Sequence, residues 1–117
     1  MRLVFSICFL FVSSILFSQP QIRCGAERMD KYLQLLIGKR VGVFANQTAM
    51  VGQSHLVDTL IKQGIHIACI FGPEHGFRGE ADAGEKLGND VDLKTGIPVI
   101  SLYGAHKKPT PKELENK

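Results

Sequence analysis

The chain has 117 residues, 44% of them hydrophobic, and a formal net charge of +3 at pH 7. This length allows one domain at most. This charge is too small and too dispersed along the chain to indicate binding to nucleic acid or to an anionic membrane surface. We therefore predict no nucleic-acid partner.

The N-terminus has the pattern of a secretory signal peptide. Arg2 supplies a positive charge, and the uncharged run over 3–17 is shorter than the roughly 20 residues that cross a bilayer as a helix. We therefore expect residues 1–18 to be removed on export to the periplasm or the medium, with no stable membrane anchor. Export also permits disulfides, and the sequence leaves a pairing of Cys24 with Cys69 open. A cysteine inside an apolar run, as Cys69 is, is usually a small buried hydrophobe.

Two apolar runs on either side of a helical pattern predict a βαβ unit. The continuous apolar run 41–45 suits a central strand. A helix N-capped by Ser54 is then expected over 54–63, with Asp58 on its outer face, before a buried strand over 65–71. Because such crossovers are nearly always right-handed with parallel strands, the sequence predicts an α/β fold with a parallel sheet and flanking helices.

The remaining elements lie on either side of this unit. A first helix is expected over 27–37, a turn-rich connection over 90–96 and a third strand over 97–103. Thr110 and Glu113 form a Thr-x-x-Glu capping box, which predicts the start of a further helix. Only a few residues of that helix lie within the chain. We therefore expect a truncated domain, in which the sequence predicts three strands and two complete helices.

Most of the side chains suited to chemistry lie in one polar segment, FGPEHGFRGEADAGEK, over 71–86. It contains Glu74, Glu80, Asp82, Glu85, His75 and Arg78. The segment leaves the carboxyl end of a predicted buried strand, which is where open α/β sheets bind their ligands. Asn46 follows the other strand of the βαβ unit and should emerge at the same edge. We therefore predict the functional site there.

Three kinds of chemistry are open to this segment. Its glycines match neither common phosphate-binding motif. A metal site would use Glu74, His75, Asp82 and Glu85. Because these residues lack the i, i+4 histidine spacing of helical zinc sites, we predict no metal and no cofactor. The third chemistry is acid catalysis on a glycosidic bond. Glu74 is best placed for it, since partial burial at the strand exit would raise its pKa.

Other polar side chains have simpler interpretations. We expect His55 and His66 to be surface or hydrogen-bonded core groups rather than ligands. Tyr103 should end a strand at the edge that bears the site, where it either packs or stacks on a sugar ring.

Four segments together closely resemble the NamZ family of exo-β-N-acetylmuramidases: VGVFANQT, FGPEHGFRGEADAGE, TGIPVISLYG and KKPTPKEL. The resemblance implies a Rossmann-like catalytic domain, of which residues 19–117 are the N-terminal part, followed by a smaller C-terminal domain. It implies an exported bacterial hydrolase that releases terminal N-acetylmuramic acid from peptidoglycan fragments. It also implies that Glu74 is catalytic and that Asn46, His75 and Arg78 line the pocket.

The sequence does not identify the second catalytic group. Glu80, Asp82 and Glu85 are candidates, and we predict that Asp82 and Glu85 contact the substrate. An alternative from another class is a non-catalytic α/β domain that binds a sugar or nucleotide at the sheet edge. Such a domain would not need the titratable Glu74.

Overall fold

The structure is a computed structural model that describes residues 22–79, 90–104 and 106–115. The predicted signal peptide, residues 1–18, lies outside these ranges. Within them, no helix is both long and apolar enough to cross a membrane.

The described chain contains short helices and strands. A 3₁₀ turn (Gly25–Glu27) is followed by helix α1 (Met29–Leu36), strands β1 (Arg40–Phe44), β2 (Met50–Val51) and β3 (Ser54–His55), helix α2 (Leu56–Lys62), strands β4 (His66–Gly72), β5 (Asp90–Val91) and β6 (Pro98–Ser101), and helix α3 (Pro111–Leu114).

Strand β4 lies at the centre of a four-stranded sheet with the order β1-β4-β6-β5. Strands β1 and β6 both run parallel to β4, which confirms the parallel βαβ unit and the α/β fold. One prediction was wrong and one was incomplete. Strand β1 pairs only with β4 among the described residues, so the central strand is β4 rather than 41–45. The connection 90–96 contains β5, which pairs antiparallel with β6 and at two residues is too short to show an apolar pattern.

The main core lies between the two longer helices and one face of the sheet. Val57 and Leu60 of α2 pack against Val43, Ile67 and Ile70 of the sheet. Val57 and Ile70 have no solvent exposure, and full burial of such a side chain contributes roughly 1.5–3 kcal/mol. The partly buried side chains of α1 that pack on this core are Met29, Tyr32, Leu33 and Leu36.

A register shift in β4 divides its apolar residues between two clusters. Val41 pairs with Ile67, whereas the next residue of β1, Gly42, pairs with Cys69, so Ala68 is an extra residue in β4. Ile67 therefore joins the main core, whereas Cys69 and Phe71 form a second cluster with Leu102. Because consecutive strand residues point to opposite faces, this second cluster lies on the other face of the sheet. Cys24 is exposed and no disulfide joins it to Cys69.

Helix α2 begins two residues later than the sequence predicts. Ser54 and His55 pair with Val51 and Met50 in a β2–β3 hairpin, and the backbone is still extended at His55, so Ser54 is not the N-cap. His55 has that role instead, and its Nδ1 accepts a hydrogen bond from the backbone N–H of Val57 at 3.2 Å. The prediction missed this because histidine is not among the preferred N-cap residues and the hairpin strands are only two residues long.

The capping box at the start of α3 is confirmed. The Glu113 carboxylate accepts from the Thr110 backbone N–H at 2.8 Å, and the Glu113 N–H donates to Thr110 Oγ1 at 3.4 Å. The predicted first helix is present as α1, with the 3₁₀ turn before it instead of a helical start at Glu27.

Candidate functional site

The carboxyl ends of three neighbouring strands meet at one edge of the sheet. The Ala45 N–H after β1 donates to the Phe71 carbonyl at 3.1 Å, and the Leu102 N–H after β6 donates to the Gly72 carbonyl at 2.8 Å. The segments that begin at Asn46, at Pro73 and at Tyr103 therefore leave the sheet side by side. The expectation that Asn46 and Glu74 emerge at one edge, on adjacent strands, is confirmed.

Glu74 and His75 lie at the tip of a tight turn. The Gly76 N–H donates to the Pro73 carbonyl at 3.1 Å, so Glu74 and His75 are the two central residues of this turn. Both are exposed, and the expectation that Glu74 would be partly buried was wrong. A turn projects its central residues away from the sheet, and Glu74 therefore meets solvent. His75 has a φ of 68°, a left-handed conformation that costs an L-residue roughly 1–2 kcal/mol.

Tyr103 lies next to Glu74. A hydrogen bond to the Glu74 carboxylate, together with the negative charge of that group, raises the pKa of the Tyr103 phenol. The phenol therefore stays protonated at neutral pH and can donate to the carboxylate. The contact forms because β4 and β6 are adjacent in the sheet, so the segments that follow them lie side by side. Stacking of Tyr103 on a sugar ring stays a prediction.

Phe77 anchors the other end of the same loop in the main core. Its side chain is 5% exposed, and its ring meets the His55 ring edge-on at 4.7 Å between centroids. His55 Nε2 lies 2.8 Å from the Asn46 carbonyl oxygen. Because Nδ1 of His55 accepts from the Val57 N–H, Nε2 carries the proton and donates to that carbonyl. His55 is a hydrogen-bonded core group, as expected, and His66 is exposed.

Arg78 is bound by two aspartates from different parts of the chain. Its Nε and Nη2 donate to the two carboxylate oxygens of Asp92, at 2.6 and 2.8 Å. Its Nη2 also donates to Asp58 Oδ1 at 3.0 Å, and Lys94 Nζ donates to Asp58 Oδ2 at 2.6 Å. The Arg78 guanidinium also lies over the Phe77 ring, 4.8 Å from its centroid.

The sequence did not reveal that these two aspartates bind Arg78. Asp58 was expected on the outer face of its helix, but its side chain is only 17% exposed. That expectation was wrong because the loop of Arg78 folds over α2. Asp92 was assigned to a turn, yet it is buried. Neither residue lies in a motif, and a single acidic residue 14 or 20 positions from an arginine gives no local pairing signal.

The charges of this cluster shift the acidities of its members. The hydrogen bond from Arg78 holds the pKa of Asp92 at about 2, below the ordinary 3.8. Burial opposes ionisation of Asp58, but the hydrogen bonds and charges of Arg78 and Lys94 outweigh it and lower the Asp58 pKa. Hydrogen bonding to Asp92 raises the pKa of Arg78. Asp58, Asp92 and Arg78 are therefore ionised at neutral pH.

Asp92 should make folding stability dependent on acid pH. Its folded-state pKa lies below its ordinary value of 3.8, so its contribution is present above that value and is lost as the pH falls through about 2. We expect Asp92→Asn to lower the free energy of unfolding by about 2 kcal/mol at pH 7, and the difference from the parent to shrink toward pH 2. Urea unfolding at both pH values measures it. A pH-independent difference would contradict the ion pair as its cause.

The segment after β1 approaches the same loop. Asn46 Oδ1 accepts from the backbone N–H and the hydroxyl of Thr48, at 3.1 and 2.8 Å, so the side-chain amide of Asn46 would meet a ligand with its N–H donors. Gly79 has a φ of 74°, and a Cβ placed there would come within 3.0 Å of the Gln47 side chain. Glycine at this position lets the two segments pack together.

Three predicted site residues lie outside the described residues, namely Glu80, Asp82 and Glu85. Of the described part of the chain, no three or more His, Cys, Asp or Glu side chains are grouped so that they could hold a metal ion. The structure places Tyr103 against Glu74, and Asn46 begins the neighbouring segment at the same edge of the sheet.

The comparisons with known proteins agree on one family. The model of the N-terminal domain of exo-β-N-acetylmuramidase NamZ matches residues 41–117. The chain belongs to the NamZ family. The peptidoglycan β-N-acetylmuramidase NamZ of Bacillus subtilis (strain 168) is 42% identical over 101 residues, which are 84% of this chain and 24% of that protein. The family resemblance predicted from the sequence is confirmed.

Two crystal structures of DUF1343 family proteins from Bacteroides fragilis NCTC 9343 share the fold. One is 38% identical, with a TM-score of 0.62 over 79% of this chain and 22% of its own. The other is 36% identical, with a TM-score of 0.62 over 74% of this chain and 21% of its own. This NamZ family chain thus spans less than a quarter of either crystallised protein, and 24% of the Bacillus relative.

Proposed function

We propose that a full-length NamZ family protein carrying this sequence is a glycoside hydrolase that releases terminal β-linked N-acetylmuramic acid from peptidoglycan fragments. The 42% identity to a protein named as a peptidoglycan β-N-acetylmuramidase supports the activity and the substrate class. The observation that supports Glu74 as the catalytic group is its position. It is an exposed carboxylate at the carboxyl edge of the sheet, on a loop fixed at Phe77 and Arg78.

Glu74 acts in this proposal as the general acid. Its carboxyl group donates a proton to the glycosidic oxygen as the bond from that oxygen to the sugar breaks, and water then supplies the new oxygen on the sugar carbon. Exposure at the tip of the turn gives a substrate access to it. The Tyr103 phenol then donates a hydrogen bond to the carboxylate that remains and holds it in position.

The substrate contacts come from the surrounding polar side chains. Asn46 offers amide donors to hydroxyl or acetamido oxygens, and the exposed His75 lies beside Glu74 in the turn. Asp82 and Glu85 are proposed as further contacts, because the family resemblance implies a pocket built from this segment. The second catalytic group comes from this segment or from a part of the protein beyond the present sequence.

The protein is proposed to act after export, in cell-wall turnover. The apolar run over 3–17 after Arg2 supports removal of residues 1–18 as a signal peptide. Peptidoglycan lies outside the cytoplasmic membrane, so export would bring the hydrolase to its substrate.

A pair of chromogenic sugars tests this function in the full-length protein. We expect release of the chromophore from a β-N-acetylmuramic acid glycoside and not from the matching N-acetylglucosamine glycoside. Residues 19–117 alone should release none, since relatives are about four times as long. Binding of the muramic acid glycoside without turnover would instead favour the non-catalytic sugar-binding domain.

A further inference from the structure

We propose that Arg78 is a positioning residue. Its ion pairs with Asp92 and Asp58 fix the loop that bears Glu74, and Arg78 does not itself contact the substrate. This rests on the proposed function, because it takes Glu74 as the catalytic acid. We call Arg78, Asp58 and Asp92 together the arginine clamp.

The arginine clamp joins three separate elements. Arg78 follows the Glu74 turn, Asp58 lies in α2, and Asp92 follows β5. The contact with Asp92 is bidentate, at 2.6 and 2.8 Å. Bidentate pairs of this kind fix the angle as well as the distance between two groups. A loop tied in this way to a helix and to the sheet has little freedom to move away from the sheet edge.

The guanidinium has few donors left for a ligand. Its Nε and both terminal nitrogens are already within 3.5 Å of aspartate oxygens. Arg78 and Lys94 carry two positive charges against the two negative charges of Asp58 and Asp92, so the cluster is neutral. It therefore offers no net attraction to the carboxylate of a muramic acid unit. A substrate could bind Arg78 only by displacing a carboxylate from a side chain that is 21% exposed.

The clamp acts on Glu74 through the short segment between them. Phe77, directly beneath the guanidinium, is fixed in the core, and Gly79 on the other side packs against Gln47. The 77–79 segment next to the turn that holds Glu74 is thus anchored in the core at Phe77 and lies against Gln47 at Gly79. Misplacement of a catalytic group by about 1 Å can cost on the order of 10²-fold in rate, so this fixation bears directly on turnover.

Kinetics and amide exchange of the full-length protein test the proposal together. We expect Arg78→Ala to lower kcat by about 10–100-fold while KM changes less than about twofold. Hydrogen–deuterium exchange over 74–79 should become faster. Guanidinium chloride at tens of millimolar should restore part of kcat, because the two aspartates still form a site for the ion, whereas equal sodium chloride should not. Arg28→Ala is the matched control, since Arg28 is exposed and makes no ion pair among the described residues.

The other possible results either overturn the role of Arg78 or separate it from the proposed function. A raised KM with unchanged kcat and unchanged exchange would overturn the proposal, because it would mean that Arg78 binds substrate. If Arg78→Ala does not fold, Asp58→Asn leaves the Asp92 pair in place and should give a smaller fall in kcat with faster exchange over 74–79; unchanged values would overturn the clamp. Full turnover in Glu74→Gln alongside faster exchange in Arg78→Ala would reject Glu74 as the catalytic acid but keep the clamp, and no turnover by the parent protein alongside faster exchange in Arg78→Ala would reject the proposed function but keep the clamp.

Discussion

Glu74→Gln should lower the kcat of the full-length protein by about 10²–10⁴-fold, which is what a positioned general acid contributes. The amide keeps the size of the side chain and can still accept from Tyr103, but its N–H protons are not acidic enough to be transferred to the leaving oxygen. KM should change little, because the substrate contacts remain. Steady-state kinetics with the chromogenic muramic acid glycoside measures both constants.

Glu115→Gln is the control for this substitution. Glu115 is an exposed glutamate near the end of the described chain, far along the sequence from the turn, so its loss should leave kcat unaltered. If Glu74→Gln retained the parent turnover, the acid would have to be sought at Asp82 or Glu85.

The second large effect is expected from Phe77→Ala, which should lower the free energy of unfolding by about 3–5 kcal/mol. Phe77 is 5% exposed and packs in the main core against His55, so its truncation leaves a cavity beneath the Glu74 loop. It also removes the ring on which the Arg78 guanidinium lies. Chemical unfolding followed by circular dichroism measures the loss.

Phe77→Leu provides the comparison, because an apolar side chain of similar volume should cost less than about 1.5 kcal/mol. Similar losses in the two variants would show that the ring itself, rather than the volume it fills, determines stability here. Small losses in both would mean that the loop is not anchored through this residue.

The apolar runs carried enough information to predict the fold. Residues 41–45 and 65–71 differ from their surroundings over several positions, and the helix between them has a clear apolar stripe, so the parallel pair and the crossover followed from the pattern. Placing Asn46 and Glu74 at one edge needed only that topology. The family resemblance followed from long motifs, the GPEHGFRG run above all.

What could not be predicted depends on contacts between distant residues. The strands of the β2–β3 hairpin and β5 are two residues long, too short for periodicity to register. His55 rather than Ser54 is the N-cap because the hairpin extends through His55. The exposure of Glu74 depends on a turn closed by Gly76, and the partners of Arg78 depend on how α2 and the segment after β5 meet.

The contacts of Arg78 also bear on the order in which the molecule folds. Its partners are 14 and 20 residues away along the chain, and bringing such segments together costs chain entropy before any contact forms. These separations are smaller than those of the parallel pairs, in which Arg40 lies opposite His66 and Ile70 opposite Val99, so the contacts of Arg78 need not wait for the sheet. The geometry around Glu74 nevertheless requires α2, the loop and the segment after β5 to be in place at once. A chain in which one of these three is displaced would therefore keep the sheet and lose this geometry.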